Sequence, residues 1–162
     1  LGEGFRMDRK GSTLMWNMNP QRDGGIFNDA AGTGGSTSRH IELRENGTRI
    51  FAETNQNCNH FDFNRIPNAT DKMKNYAIQF NNSQAYLFIN GEKWGESNYY
   101  HKDACDGNEV DQMVADTTIS KVGPETYQEN FKGTINNIKF YPYTLTTSQI
   151  KTAANRGSAK IN

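Results

Sequence analysis

Covalent cross-links and net charge contribute little to this sequence. It holds two cysteines and four prolines, and its 18 basic residues are balanced by 18 acidic ones. Without a basic excess there is no electrostatic footprint for nucleic acid. Without a basic amphipathic stretch there is nothing to lie on a membrane surface. No apolar run approaches the ~20 residues that a membrane-spanning helix needs, so no membrane insertion is expected. Residues 19–38 are rich in glycine, but no Gly-Lys-[Ser/Thr] closes them, which excludes a phosphate-cradling loop. No Gly-x-Ser-x-Gly nucleophile elbow occurs. No long run has helical period, and there is no internal repeat of solenoid length.

Hydrophobic residues make up only 34% of the chain, yet aromatics reach 11%. Large aromatic core residues in thin layers, joined by long polar loops, suit a β-sandwich; the aromatics and β-branched runs argue against disorder. The length is enough for one domain with its own core. Leu14, Trp16 and Met18 alternate, which predicts a strand over 12–18 with one buried face. Trp16 sits between apolar residues at strand period, so a core position outweighs a sugar-stacking one. Ile26 and Phe27 predict a short strand inside an otherwise loop-like stretch. His40 to Glu53 reads as a hairpin about Asn46-Gly47, a pair suited to the positive backbone angles of tight turns. Phe61 and Phe63 alternate within the loop-like polar stretch 54–71 and suggest a short strand there. Residues 76–97 read as a three-strand meander that turns at 81–83 and at Asn90-Gly91. Trp94, on its third arm, has polar and small neighbours; it is the better candidate for an exposed aromatic, although packing remains the ordinary role of tryptophan. The longest insertion is 98–117, and 119–122 reads as a further strand.

The C-terminal segment FKGTINNIKFYPYTLTTSQI is more specific. Phe131, Gly133 and Ile135 alternate, then the period slips by one residue at Asn136-Asn137 before Ile138 and Phe140. That slip predicts a β-bulge. Pro142 ends pairing. Thr146 with Gln149 has capping-box spacing, and Leu145 with Ile150 brackets it as a staple, predicting a single helical turn. This arrangement resembles the C-terminal pattern of concanavalin A-like, laminin G-like jelly rolls: Phe-x-Gly-x-Ile, two polar residues, apolar-x-apolar-Tyr, then Leu-Thr. The block from Tyr76 to Gly95 resembles the central hairpin of the same family. The resemblance implies an all-β, two-sheet antiparallel jelly-roll sandwich with one short C-terminal helix, spanning 1–162 as a single domain.

Fold alone does not select a function, because this fold serves lectins, carbohydrate-binding modules, adhesion domains and glycosidases. Glycoside hydrolysis needs two carboxylates facing each other across the sugar. No strand here carries a pair on one face: Glu42 and Glu45 have the wrong spacing, and Glu125 and Glu129 flank a loop. A non-enzymatic reading follows. Sugar recognition uses flat aromatic faces and planar polar side chains. Trp94, Tyr99, Tyr100, His101, His60, Asp62, Asn59 and Arg39 supply both kinds, chiefly on the two longest loops, 54–71 and 98–117; capping a sandwich edge is the competing reading. Asp103, Asp106 and Asp111 crowd one oxygen-rich segment. Laminin G-like relatives often hold calcium between loops, so the resemblance implies a possible Ca2+, against which stands a plain solvated acidic loop.

Cys58 and Cys105 sit in the same two loops. A disulfide between them would tie the loops into one surface and contribute roughly 3 to 5 kcal/mol in the chain-entropy model; two independent thiols are the alternative in a reducing compartment. Sequons at Asn46, Asn68 and Asn81, with the cysteine pair, point towards an extracellular or surface-exposed setting. The expectation is a non-catalytic glycan-binding module belonging to a longer secreted, cell-surface or virion-surface protein. The alternatives are an adhesion domain with a protein partner and, third, a glycosidase or polysaccharide lyase.

Overall fold

The computed structural model describes residues 5–7, 11–28, 40–55, 59–81, 84–98, 100–101, 117–119, 121–122 and 131–158. In chain order the strands are β1 (Phe5–Met7), β2 (Ser12–Arg22), β3 (Gly24–Asn28), β4 (His40–Arg44), β5 (Arg49–Asn55), β6 (Asn59–Asn64), β7 (Lys74–Asn81), β8 (Gln84–Ile89), β9 (Glu92–Asn98), β10 (Tyr100–His101), β11 (Thr117–Ile119), β12 (Lys121–Val122) and β13 (Lys132–Tyr141); α1 (Thr147–Ser158) follows. One sheet has the order β13-β2-β7-β8-β9, the other β10-β6-β5-β4-β3-β12, and β1 pairs with β11 apart from them. Every pairing among the described strands is antiparallel. The two sheets face each other across one apolar core, the jelly-roll sandwich expected.

That core is built on rings. Trp16 of β2 stacks on Tyr76 of β7, with centroids 5.7 Å apart, and meets Phe27 of β3 edge-on at 5.3 Å. The three rings thus join the sheets, and all are fully buried. Leu14, Ile41, Leu43, Ile50, Ile78 and Leu87 fill the space around them. Each such side chain contributes about 1.5–3 kcal/mol of burial.

The bulge in β13 lies where the period slips. Asn136 pairs with Asn17 and Lys139 with Met15, so three steps on β13 match two on β2, and Asn137 takes a left-handed φ of 51°. Asn90 (φ 52°) and Gly91 (φ 79°) both turn left-handed, as a two-residue hairpin requires. Around Asn46 the turn is wider than a two-residue one: Glu45, Asn46 and Gly47 are all left-handed, and Asp23 accepts the Asn46 and Gly47 N–H groups at 2.6 and 2.8 Å.

Two expectations are corrected and one is extended. β2 runs on through Pro20 to Arg22, into the stretch read as loop. Pro20 is tolerated because β7 pairs with β2 only as far as Met18. The short strand expected at Phe61 and Phe63 forms as β6 and is longer than those two residues, six in all, paired along β5. The C-terminal helix has 12 residues, not one turn. Ile150 and Ala154, four apart, give it an apolar stripe against Met15, Ala77 and Phe88 on the outer face of the five-stranded sheet. The capping box forms as expected: the Thr146 N–H donates to Gln149 Oε1 at 2.8 Å, and the Gln149 N–H to Thr146 Oγ1 at 3.1 Å.

Candidate functional site

With α1 laid over the outer face of the five-stranded sheet, the outer face of the six-stranded sheet becomes the candidate surface. Its residues are those between the inward positions. Ile41, Leu43 and Ile50 enter the core, so Glu42, Arg44, Arg49 and Phe51 take the opposite parity on β4 and β5. Phe51 stands opposite Glu42 on one neighbour and Asp62 on the other. The Arg44 guanidinium lies 4.0 Å above the Phe51 ring and that of Arg49 lies 5.6 Å from it. Both rest their charge on the ring's negative face.

Arg44 and Arg49 are directly opposite in register, which alone would repel. Carboxylates offset that. Arg49 grips Asp62 with two bonds, Nε to Oδ1 at 2.8 Å and Nη2 to Oδ2 at 2.5 Å, and donates to Glu45 Oε1 at 3.0 Å. Arg44 pairs with Glu42. The hydrogen bonding that Arg49 donates to Asp62 is the main reason that the Arg49 pKa is driven still higher than the ordinary guanidinium value, against the opposing pull of burial. The result is an array of fixed donors and acceptors about one aromatic ring, two guanidiniums against three carboxylates, the kind of surface that meets hydroxyls.

Beside this array β6 carries Asn59, His60 and Asp62, and edge strand β10 pairs with it: Tyr100 opposite His60, and His101 opposite Asn59. Four of the residues singled out from two distant loops are thus strand neighbours: His60 and Tyr100 fall at the parity of Asp62, which holds Arg49, and Asn59 and His101 at the opposite one. Trp94 stands on β9, the edge of the other sheet. Lys93 is opposite Phe88 and Gly95 opposite Leu87, so Trp94 is the extra residue of a bulge, and it is 47% exposed. Packing, its ordinary role, does not hold there. Arg39, Tyr99, Asp103, Asp106, Asp111, Cys58 and Cys105 lie outside the described residues. Among the described residues no group of His, Cys, Asp and Glu is placed to hold a metal ion.

The sequence reading passed over Phe51, Arg44 and Arg49. Their signal was present: the Asn-Gly turn fixes the register of the hairpin, and the parity of Ile41, Leu43 and Ile50 assigns these three to the far face. Two further hollows occur among the described residues. One, of about 320 Å³, is lined by Gln21, Arg22, Asp23, Asn46, Asn68 and Thr70, which brings two sequon asparagines together. The other lies against α1.

Residues 8–151 match the family model of the concanavalin A-like lectin/glucanases superfamily. A search of curated protein sequences finds no match. Among solved structures, the carbohydrate-binding domain CBM40 of the Ruminococcus gnavus IT-sialidase superposes with a TM-score of 0.62 at 16% identity, over 91% of this chain and 84% of that one. Domain 4 of the extracellular arabinanase AbnA from Geobacillus stearothermophilus, solved with arabinotriose, gives 0.60 at 20% identity, over 93% and 69%. The heptameric SAP-like pentraxin of Limulus polyphemus gives 0.59 at 15% identity, over 90% and 70%. At these identities the three likenesses speak for the fold.

The chain belongs to the concanavalin A-like lectin/glucanases superfamily.

Proposed function

We propose that this superfamily member is a non-catalytic glycan-binding module of a longer, secreted or surface-exposed protein. The observation that carries the reading is the β6–β10 edge, which sets His60 opposite Tyr100 at the parity of Asp62, beside the Arg49–Asp62 pair, with Asn59 opposite His101 at the next position of the edge. Likeness to carbohydrate-binding domains of a sialidase and an extracellular arabinanase supports the same reading. The site would span that edge, the Phe51 array and Trp94, with aromatic faces taking the C–H surface of a sugar and the fixed polar groups its hydroxyls. A glycan array with the whole chain tests it. Wild type should bind a defined subset of glycans, and Tyr100→Ala or Trp94→Ala should lose roughly five- to tenfold in affinity, since one stacking ring is worth about 1 kcal/mol or more. Unchanged binding by both variants would refute the site. No glycan signal together with capture of one specific protein would replace the reading by protein adhesion. Repeating the array with a chelator separates a calcium site at Asp103, Asp106 and Asp111 from a solvated acidic loop.

A further inference from the structure

The hollow against α1 has the composition of a small-ligand site and lies on the face opposite the one described above. It measures about 280 Å³, near the lower limit of about 300 Å³ for ligand pockets, so it holds one ring and not a chain. One wall is aromatic: Tyr141 and Tyr143 meet edge-on with centroids 5.9 Å apart, and Tyr143 is 53% exposed. The other wall is α1, where Gln149, Thr152, Ala153 and Arg156 fall at i, i+3, i+4 and i+7 and so share one face. The small Ala153 leaves room between them.

The walls are held in place. Thr13 Oγ1 donates to the Tyr143 carbonyl at 3.1 Å, and the buried Gln79 amide donates to the Leu145 carbonyl at 2.6 Å. Gln149 uses Oε1 on the helix cap, which leaves its NH2 as donor. Arg156 is exposed and forms no ion pair among the described residues, whereas Arg44 and Arg49 on the other face are both matched by carboxylates. A ring for stacking, amide and hydroxyl groups, and one uncompensated guanidinium fit a sugar that carries a carboxylate.

We propose that the cleft between α1 and Tyr141–Tyr143 is a second binding site, taking a single acidic sugar ring stacked on Tyr143 with its carboxylate on Arg156. The proposal rests on the reading of the chain as a sugar-binding module but not on the site given to that reading. The test titrates isotope-labelled whole chain with methyl glucuronoside and, in parallel, methyl glucoside, following amide signals. The glucuronoside should shift the signals of Thr152, Ala153 and Arg156 saturably and bind at least fivefold tighter than the glucoside. Tyr143→Ala and Arg156→Gln, both at exposed positions, should each weaken it about five- to tenfold, and Arg156→Lys should restore part of the loss. Equal binding of the two sugars, or wild-type affinity in both variants, would overturn the proposal. Shifts confined to β5 and β6 would overturn it while supporting the first site, and no saturable shift at all would overturn it outright.

Discussion

Phe88 and Phe51 occupy equivalent situations on the two outer faces of the sandwich, and both are nearly fully buried, at 3% and 6% exposure. They are covered by different means. Phe88 lies with Met15 and Ala77 under the apolar stripe of α1. Phe51 lies under two guanidinium groups that are themselves held by carboxylates. A helix seated on its own apolar face is committed: it cannot lift without exposing several side chains at once. Arginine side chains cover by their stems and planes while keeping polar edges outward. The same burial is therefore achieved once with the strand residues sealed beneath a helix, and once with an array of donors and acceptors left on the strands themselves.

The largest effect that would test this contrast comes from the sealed face. Ile150→Ala removes a fully buried side chain from the α1 stripe and should cost about 2–5 kcal/mol. Chemical denaturation would measure it, and glycan binding at the β6–β10 face should be unchanged at temperatures where the variant is folded. A loss of glycan affinity in the folded variant would mean that the two faces are not independent.

Next in size is a pH effect belonging to the core that both faces share. Burial pushes the Tyr76 phenol up to about 12 from its ordinary value of 10.0. The unfolded chain then gives up this proton first as pH rises, so folding holds more protons than unfolding between those values, and stability falls. The contribution is complete below pH 10 and is lost by about pH 12. A shift of about two units corresponds to roughly 2–3 kcal/mol. The Tyr76 hydroxyl has no partner among the described residues, so Tyr76→Phe should match or exceed wild-type stability at neutral pH and lose less on going alkaline. Parallel stability curves of the two proteins from pH 9 to 12 would contradict this.

How much of this was legible beforehand follows the same division. Local rules were strong for the closing segment: the period slip at Asn136-Asn137, the stop at Pro142 and the Thr146–Gln149 spacing each correspond to a single local interaction, and each is found. The length of α1 was not read, because Thr147 to Ser158 has modest intrinsic preference and is held by Met15, Ala77 and Phe88, far away in sequence. Trp16 was correctly read as core from its neighbours. The middle of β6 is legible in the alternation of Phe61 and Phe63, but its ends are not, because its polar residues Asn59, Asp62 and Asn64 take their meaning only from β5 beside it. The Arg44–Phe51–Arg49 arrangement follows from the register of one hairpin, but its anchoring on Asp62 needs a third strand that this stretch does not contain.

Arg49→Ala sharpens the comparison from the open side. It removes two bonds to Asp62 and one cover of Phe51. The expected cost is about 1–2 kcal/mol, discounted for partial exposure, together with weaker glycan binding. Arg49→Lys should recover little of either, because an ammonium cannot reproduce the two-pronged grip on one carboxylate. Full recovery by lysine, read by thermal melts and the glycan array together, would show that charge alone and not the planar fork holds this face.

The smallest effect separates the helix cap from the helix stripe. Thr146→Ala deletes the hydroxyl that accepts the Gln149 N–H, while the return bond from the backbone N–H of residue 146 to Gln149 Oε1 is kept. The stripe made by Ile150 and Ala154 is untouched. Loss of an N-cap side chain costs about 0.5–2 kcal/mol, and the low end is expected here, because the Gln79–Leu145 bond and the burial of Leu145 still fix the entry to the helix. Hydrogen exchange should speed up only in the first turn of α1, with Ala153 and Ala154 retaining their protection. Uniformly faster exchange along α1 would instead mean that the cap, not the apolar stripe, keeps the helix on the sheet, and the distinction between a committed face and an adjustable one would then lose its basis.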